Sequence, residues 1–183
     1  MIAFDNETTG LKRPDACDLK IQPYITEIYL CKFDFDGNIH AEFNKLVKPP
    51  VPIPEIITKI TGIDDNMVKN APTFIEIYDE LVDFVLGEKT IFAHNCSFDI
   101  DVLKGELKRF DMDYNFPWPP YQCCTVEASM AIQNKRLTLD KLFEVATGKP
   151  RTEGSHRARK DVLDMVKCIK WLKKEGFIHD IFC

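Results

Sequence analysis

Hydrophobic and polar positions along the chain follow two periods in turn, which indicates a mixed α/β protein. Short runs rich in β-branched and aromatic residues predict five strands, at about residues 2–7, 28–35, 39–47, 90–94 and 121–124. Runs with helical spacing predict helices at about residues 55–60, 73–86, 99–110, 125–132 and 138–147, and a last helix that contains residues 161–172. This order of elements fits a sheet covered by helices.

Local signals refine several of these elements. Asp36-Gly37, between two β-rich runs, predicts a hairpin. Gly148 is expected to end the helix before it. Asp99 is expected to open the third predicted helix, at residues 99–110, whose buried face would be formed by Ile100, Leu103, Leu107 and Phe110. The proline-rich and aromatic segment 114–121 predicts a stiff loop that plugs the sheet edge, and a stacking platform for single-stranded bases is the alternative.

Composition sets the outer limits. With 183 residues, of which 45% are hydrophobic, we expect a single domain over residues 1–183. No stretch approaches the roughly 18 apolar residues of a membrane span, and the first strand begins close to Met1, which leaves no room for a signal peptide. We therefore expect a cytoplasmic protein without a membrane partner. Seven cysteines without a C-x-x-C pair favour reduced, mostly buried thiols over a zinc ribbon or a disulfide framework.

The formal net charge of −5 at first disfavours a polyanionic partner. Two bound divalent cations would nearly cancel this charge, however. Cationic side chains are also concentrated towards the end of the chain, at Lys149, Arg151, Arg157, Arg159 and Lys160. A solvated, charged helix start is the plainer explanation of that run. Net charge therefore does not exclude a nucleic-acid partner.

Two acids directly follow the first apolar run. Asp5 and Glu7 stand two positions apart at the expected end of a strand, so their side chains point to the same face. Like charges on Cα atoms roughly 6 to 7 Å apart repel, so that one acid must be protonated or a cation must lie between them. Such oxygen ligands suit Mg²⁺ or Mn²⁺, which leave coordination positions open for water and phosphate. Two solvated acids at the end of an edge strand are the alternative.

Three further side chains of related chemistry occur in two later segments. Asp99 follows the fourth strand, near the strand end where ligands of α/β sheets gather. Asp161 lies beside the apolar stripe of the last helix, where a carboxylate needs a cation or a hydrogen-bond network. His156 follows a Gly154-Ser155 break and is expected on a loop that reaches over ions held by Asp161. The alternatives are a helix-dipole aspartate, an ion pair of Asp161 with a nearby Lys or Arg, and an exposed loop histidine.

Together these segments resemble the three motifs of the DEDDh 3′-5′ exonuclease family, which includes the proofreading subunits and domains of bacterial replicative DNA polymerases. The motifs are Phe4-Asp5-Asn6-Glu7-Thr8-Thr9-Gly10, His94-Asn95-Cys96-Ser97-Phe98-Asp99 and His156-Arg157-Ala158-Arg159-Lys160-Asp161. The connecting region 47–74 is also similar to polymerase-associated members, so the likeness extends over nearly the whole chain. The resemblance implies a ribonuclease H-like three-layer fold, with a mixed five-stranded sheet and helices on both faces.

Carried over by position, the resemblance implies a site for two Mg²⁺ or Mn²⁺ ions, formed by Asp5, Glu7, Asp99 and Asp161. Asp5 would bridge the two ions, and His156 would act as the general base. The resemblance also implies that the last nucleotide is bound by Thr8, Thr9, Leu11, Asn95 and Phe98. Turn formation, helix capping and core packing are the alternative roles of these five residues. Thr61-Gly62 departs from the His-Gly of many members.

The expected function is therefore a divalent-metal-dependent 3′-5′ exonuclease. It would act on a single-stranded or frayed DNA 3′ end and release nucleoside 5′-monophosphates, either alone or beside a DNA polymerase. An exoribonuclease of the same family is the alternative, because the chemistry is the same and the 2′-hydroxyl is read locally. A catalytically silent interaction module is the third hypothesis, and the intact set of acids and histidine argues against it.

Overall fold

Five strands form one mixed sheet in the order β3-β2-β1-β4-β5. The computed structural model describes residues 1–13, 18–152 and 156–178, so Cys17, Cys183 and the Gly154-Ser155 break lie outside the described residues. The strands are β1 (Ile2–Thr8), β2 (Ile25–Phe33), β3 (Ile39–Leu46), β4 (Thr90–Ala93) and β5 (Tyr121–Cys124). The hairpin partners β2 and β3 are antiparallel, as are β1 and β2, whereas β4 is parallel to both β1 and β5. The expected mixed five-stranded sheet is confirmed.

Helices cover both faces of this sheet. Within the described ranges they are α1 (Glu55–Thr61), α2 (Asp65–Val68), α3 (Phe74–Val85), α4 (Cys96–Arg109), α5 (Thr125–Gln133), α6 (Leu139–Thr147) and α7 (Ala158–Lys174), with 3₁₀ turns at Leu19–Ile21 and Asp113–Asn115. Apolar side chains of α3 and α4 form a core against one face, and those of α6 and α7 form a second core against the other. The expected three-layer arrangement is therefore confirmed. None of the helices in these ranges has the length and apolarity required to cross a membrane.

Alternate residues of β1 face the two helical layers. Phe4 packs in the core with α3 and α4, whereas Ala3 packs in the core with α6 and α7. Asp5 and Glu7 continue the series of Ala3, because side chains of a strand alternate with period two. Their carboxylates therefore extend to the side of the sheet on which α7 lies.

Several boundaries differ from those expected. β1 does not end at the acids but runs on to Thr8, because its antiparallel pairing with β2 continues. β2 begins earlier than expected, at Ile25, and α2 was missed because four residues are too few to show a helical period. α4 begins at Cys96, so that Asp99 lies in its first turn instead of opening it. The predicted bounds of β5 and the end of α6 at Gly148 are confirmed.

Two aromatic positions test the expected packing around α4. Phe110 was expected on the buried face but is 41% exposed, because α4 ends one residue earlier and the helical period no longer applies. In the loop before β5, Phe116 is buried and its ring centroid lies 4.6 Å from that of Trp118. This packing favours the plug over the stacking platform, although Tyr114 is exposed.

Candidate active site

Carboxylates from three separate elements meet beside the sheet. Asp5 and Glu7 extend from β1 and Asp161 from the first turn of α7, and one oxygen atom of each lies within 4.8 Å of the others. Asp99, in the first turn of α4, is 3% exposed and lies close enough to raise the pKa of Asp5 by repulsion. The structure therefore brings together all four acids that the motifs singled out.

The crowding of these acids changes their proton affinities. Burial, followed by repulsion from Asp161, raises the pKa of Glu7 from its ordinary 4.5 to about 7, and Arg157 opposes this change. Burial is also the main cause that raises the pKa of Asp5 well above its usual range, with Asp99 next. The pKa of Asp99 is raised mainly by burial. Acids in such a position gain from a nearby cation, and an all-oxygen donor set fits Mg²⁺ or Mn²⁺.

His156 lies at the rim of the same cleft, whose volume is about 580 Å³. Its side chain is exposed, and its backbone N–H donates to Oδ2 of Asp161 at 3.3 Å. The φ angle of His156 is 68°, in the left-handed region that non-glycine residues seldom adopt. The hydrogen bond thus links His156 to Asp161 in the first turn of α7, while the imidazole of His156 stays exposed at the cleft.

Asp161 also has the cationic partner that was the alternative explanation for it. Nη2 of Arg151 donates to Oδ1 of Asp161. The ion pair and the acid cluster therefore coexist, and each oxygen of Asp161 accepts a hydrogen bond from a different residue.

Sequence reasoning missed Glu27. This residue of β2 pairs with Glu7 in the strand register and is 2% exposed. Its carboxylate accepts from Arg157 at 3.0 and 2.7 Å and from the backbone N–H of Ala158 at 3.0 Å. Glu27 thus satisfies an open N–H group at the start of α7 and holds the residue after His156 against the sheet. Glu27 precedes the apolar run at residues 28–35 from which this strand was predicted, so no pattern in the sequence indicated its role.

A second cleft, of about 740 Å³, adjoins the first. Thr8, Thr9 and Leu11 line it, and Phe98 borders both clefts. The hydroxyl oxygen of Thr9 accepts from the backbone N–H of Tyr24 at 3.0 Å, so the turn role expected as an alternative is present as well. Leu11, in contrast, is 80% exposed.

The last candidate, Asn95, and Thr61, at the position that departs from the family pattern, differ in their surroundings. Asn95 precedes α4 on the first cleft, and its Oδ1 accepts from the hydroxyl of Ser97 at 3.3 Å. Thr61 lines the second cleft but is buried, and its hydroxyl donates to the carbonyl of Ile57 at 3.0 Å and accepts from Ile63 N–H at 3.1 Å. Both hydrogen bonds of this hydroxyl are therefore made to the backbone at the end of α1.

Comparison with known families identifies the class of protein. The family model RNase_T, described as Exonuclease, matches residues 2–169. The chain therefore belongs to this exonuclease family, which confirms the resemblance carried by the three motifs.

Two curated relatives and one solved structure illustrate the similarity. The DNA polymerase III subunit epsilon of Treponema pallidum is 40% identical over 105 residues, which are 57% of this chain and 45% of the relative. The DNA polymerase III PolC-type protein of Clostridium perfringens is 31% identical over 184 residues, which are 98% of this chain and 12% of the relative. The chain thus spans less than half the length of either protein. The structure of Exonuclease X in complex with 5′ overhanging duplex DNA matches with a TM-score of 0.69 at 22% identity. The match covers 99% of this chain and 96% of the Exonuclease X chain, and the two share the ribonuclease H-like fold.

Proposed function

We propose that the chain is a divalent-metal-dependent 3′-5′ exonuclease that hydrolyses the terminal phosphodiester of DNA and releases nucleoside 5′-monophosphates. The observation that carries the proposal is the acid cluster, in which oxygens of Asp5, Glu7 and Asp161 lie within 4.8 Å of one another. A solvated surface group of acids would not hold a glutamate pKa at about 7, as the surroundings of Glu7 do.

Asp5, Glu7, Asp99 and Asp161 are the proposed ligands of two Mg²⁺ or Mn²⁺ ions. When bound, the ions would supply positive charge that stabilises the entering and departing oxygens at phosphorus. The carboxylates themselves contribute a fixed arrangement of oxygens, because β1 and α7 pack against each other in a shared core. Without that charge, the acids would repel a polyanionic strand.

His156 is the proposed general base. Its imidazole is exposed at the rim of the cleft that holds the acids, where it can accept a proton from an attacking water. Histidine is suited to this task because it exchanges protons near neutral pH. The backbone hydrogen bond to Asp161 ties the base to the acid cluster.

The second cleft is the proposed place of the last nucleotide. Leu11 offers an exposed apolar face for a base, and Phe98 stands between this cleft and the acids. Thr8 and Thr9 would contribute from the end of β1, and Asn95 from the first cleft. The names of the two curated relatives support DNA as the substrate and a polymerase as a partner of the proposed enzyme.

Matched end-labelled oligonucleotides test the proposal directly. DNA and RNA of one sequence, single-stranded, paired and mismatched, are incubated with Mg²⁺, Mn²⁺ or EDTA, and the products are separated by size. We expect a ladder that starts from the 3′ end of DNA, requires metal and disappears in Asp5→Asn. A ladder from RNA alone would replace the DNA assignment by the exoribonuclease, and a ladder from the 5′ end or in EDTA would refute the mechanism.

A further inference from the structure

Arg151 precedes His156 in the chain and lies between α6 and α7, with its side chain 5% exposed. Three of its nitrogen atoms hydrogen-bond to three different carboxylates. Nη1 donates to Asp140 at 2.8 Å, Nε donates to Asp164 at 3.1 Å, and Nη2 donates to Asp161. This set of charge-assisted bonds holds the guanidinium in one orientation at the edge of the acid cluster.

Two of these carboxylates do not depend on Arg151 for a counter-charge. Asp164 also pairs with Lys160 at 2.8 Å and with Lys167 at 2.9 Å, and the side chain of Asp140 is 65% exposed to water. Asp161 is different, because within the described ranges Arg151 is the cationic side chain in an ion pair with it. Arg151 therefore matters most at the one partner that belongs to the acid cluster.

We infer that Arg151 takes the place of a metal cation at Asp161 and thereby sets how tightly the cluster binds divalent ions. The inference rests on the proposed function. A cation that reaches Asp161 finds Oδ1 engaged by Arg151 and Oδ2 engaged by the backbone of His156. It also meets a fixed positive charge in poorly solvated surroundings, where repulsion is stronger than in bulk water.

If Arg151 only oriented Asp161 as a metal ligand, replacement of Arg151 would weaken metal binding. Partners that only orient a metal ligand strengthen the site, and their removal typically weakens metal affinity by about 10- to 100-fold. If Arg151 competes with the metal, removal of Arg151 must strengthen metal affinity. The same removal must lower the stability of the metal-free protein. The sign of the change therefore separates the two roles.

The test is a calorimetric titration with Mn²⁺ of the protein without nucleic acid, which compares Arg151→Gln with the wild type. We expect Mn²⁺ affinity to rise about tenfold in the variant, together with a lower midpoint of thermal unfolding in EDTA. Arg136→Gln is the matched control, because Arg136 lines the same cleft but is exposed and pairs with Glu127. Its effect on Mn²⁺ affinity should stay below about twofold.

Unchanged or weaker Mn²⁺ affinity in Arg151→Gln overturns the inference, as does an equal gain in Arg136→Gln. Mn²⁺ uptake by the wild type without a gain in the variant overturns the inference alone. Absence of uptake by both proteins overturns the proposed function as well. If Arg151→Gln is too unstable to purify, Arg151→Met, which keeps a long unbranched side chain but removes its charge, takes its place, and the same gain in Mn²⁺ affinity is expected.

Discussion

Replacement of Glu7 by glutamine should change how the stability of the metal-free protein depends on pH. Burial and the charge of Asp161 raise the pKa of Glu7 from its ordinary 4.5 to about 7. In the folded protein Glu7 therefore keeps a proton that the unfolded chain has already lost above pH 4.5. Its stabilising contribution is complete below that pH and is lost as the pH rises to about 7.

The size of this effect follows from the difference between the two pKa values. Each pKa unit corresponds to about 1.4 kcal/mol, so the wild type should lose up to about 3 kcal/mol relative to Glu7→Gln between pH 4.5 and pH 7. Partial exposure of Glu7 to water makes this value an upper limit. His94 acts in the opposite direction, because burial lowers its pKa to about 4 and its contribution is lost as the pH falls. The difference between the two proteins therefore measures Glu7 together with its repulsion on Asp5 and Asp99, whose pKa values Glu7 helps to raise.

Urea unfolding in EDTA at intervals from pH 4.5 to pH 8 provides this difference. Glu55→Gln is the matched control, because Glu55 is a glutamate whose side chain is 82% exposed on α1. Its curve should run parallel to that of the wild type. A difference between wild type and Glu7→Gln that stays constant with pH, or that grows as the pH falls, would refute the reasoning. Mn²⁺ should remove the advantage of Glu7→Gln near pH 7, since a bound cation favours the ionised acid.

Three further outcomes are expected. Asp5→Ala should abolish metal-dependent hydrolysis in the oligonucleotide assay and leave the fold in EDTA equally or more stable, because charge repulsion is relieved; retained hydrolysis would contradict its assigned role. His156→Ala should lower kcat by about 10²- to 10⁴-fold with Mn²⁺ affinity unchanged in calorimetry, and a large loss of affinity would make His156 a ligand instead. Glu27→Gln should lower the free energy of unfolding by about 1 to 3 kcal/mol in urea titrations, because it breaks the ion pair with Arg157; a variant as stable as the wild type would contradict the role of this pair.

Short-range patterns were sufficient for much of the fold. The apolar runs located all five strands, and the turn at Asp36-Gly37 predicted the pairing of β2 and β3. The predictions failed where an element is too short to show a period, as in α2, or where a helix ends before its pattern does, as at Phe110. The two failures have different causes, since four residues are too few to show a helical period, whereas a period indicates which face of a helix is buried but not where the helix ends.

The candidate acids could also be predicted from the sequence, because their spacing within the three motifs is a local property. The period of β1 placed Asp5 and Glu7 on one face, and the motifs added Asp99 and Asp161. Which charges surround these acids depended on the tertiary structure. The strand register sets Glu27 opposite Glu7, and the packing of α6 on α7 brings Arg151 to Asp161. Such contacts join residues that are distant in the chain or lie on different elements, and side-chain electrostatics depends on distance in space, which no local pattern of residues records.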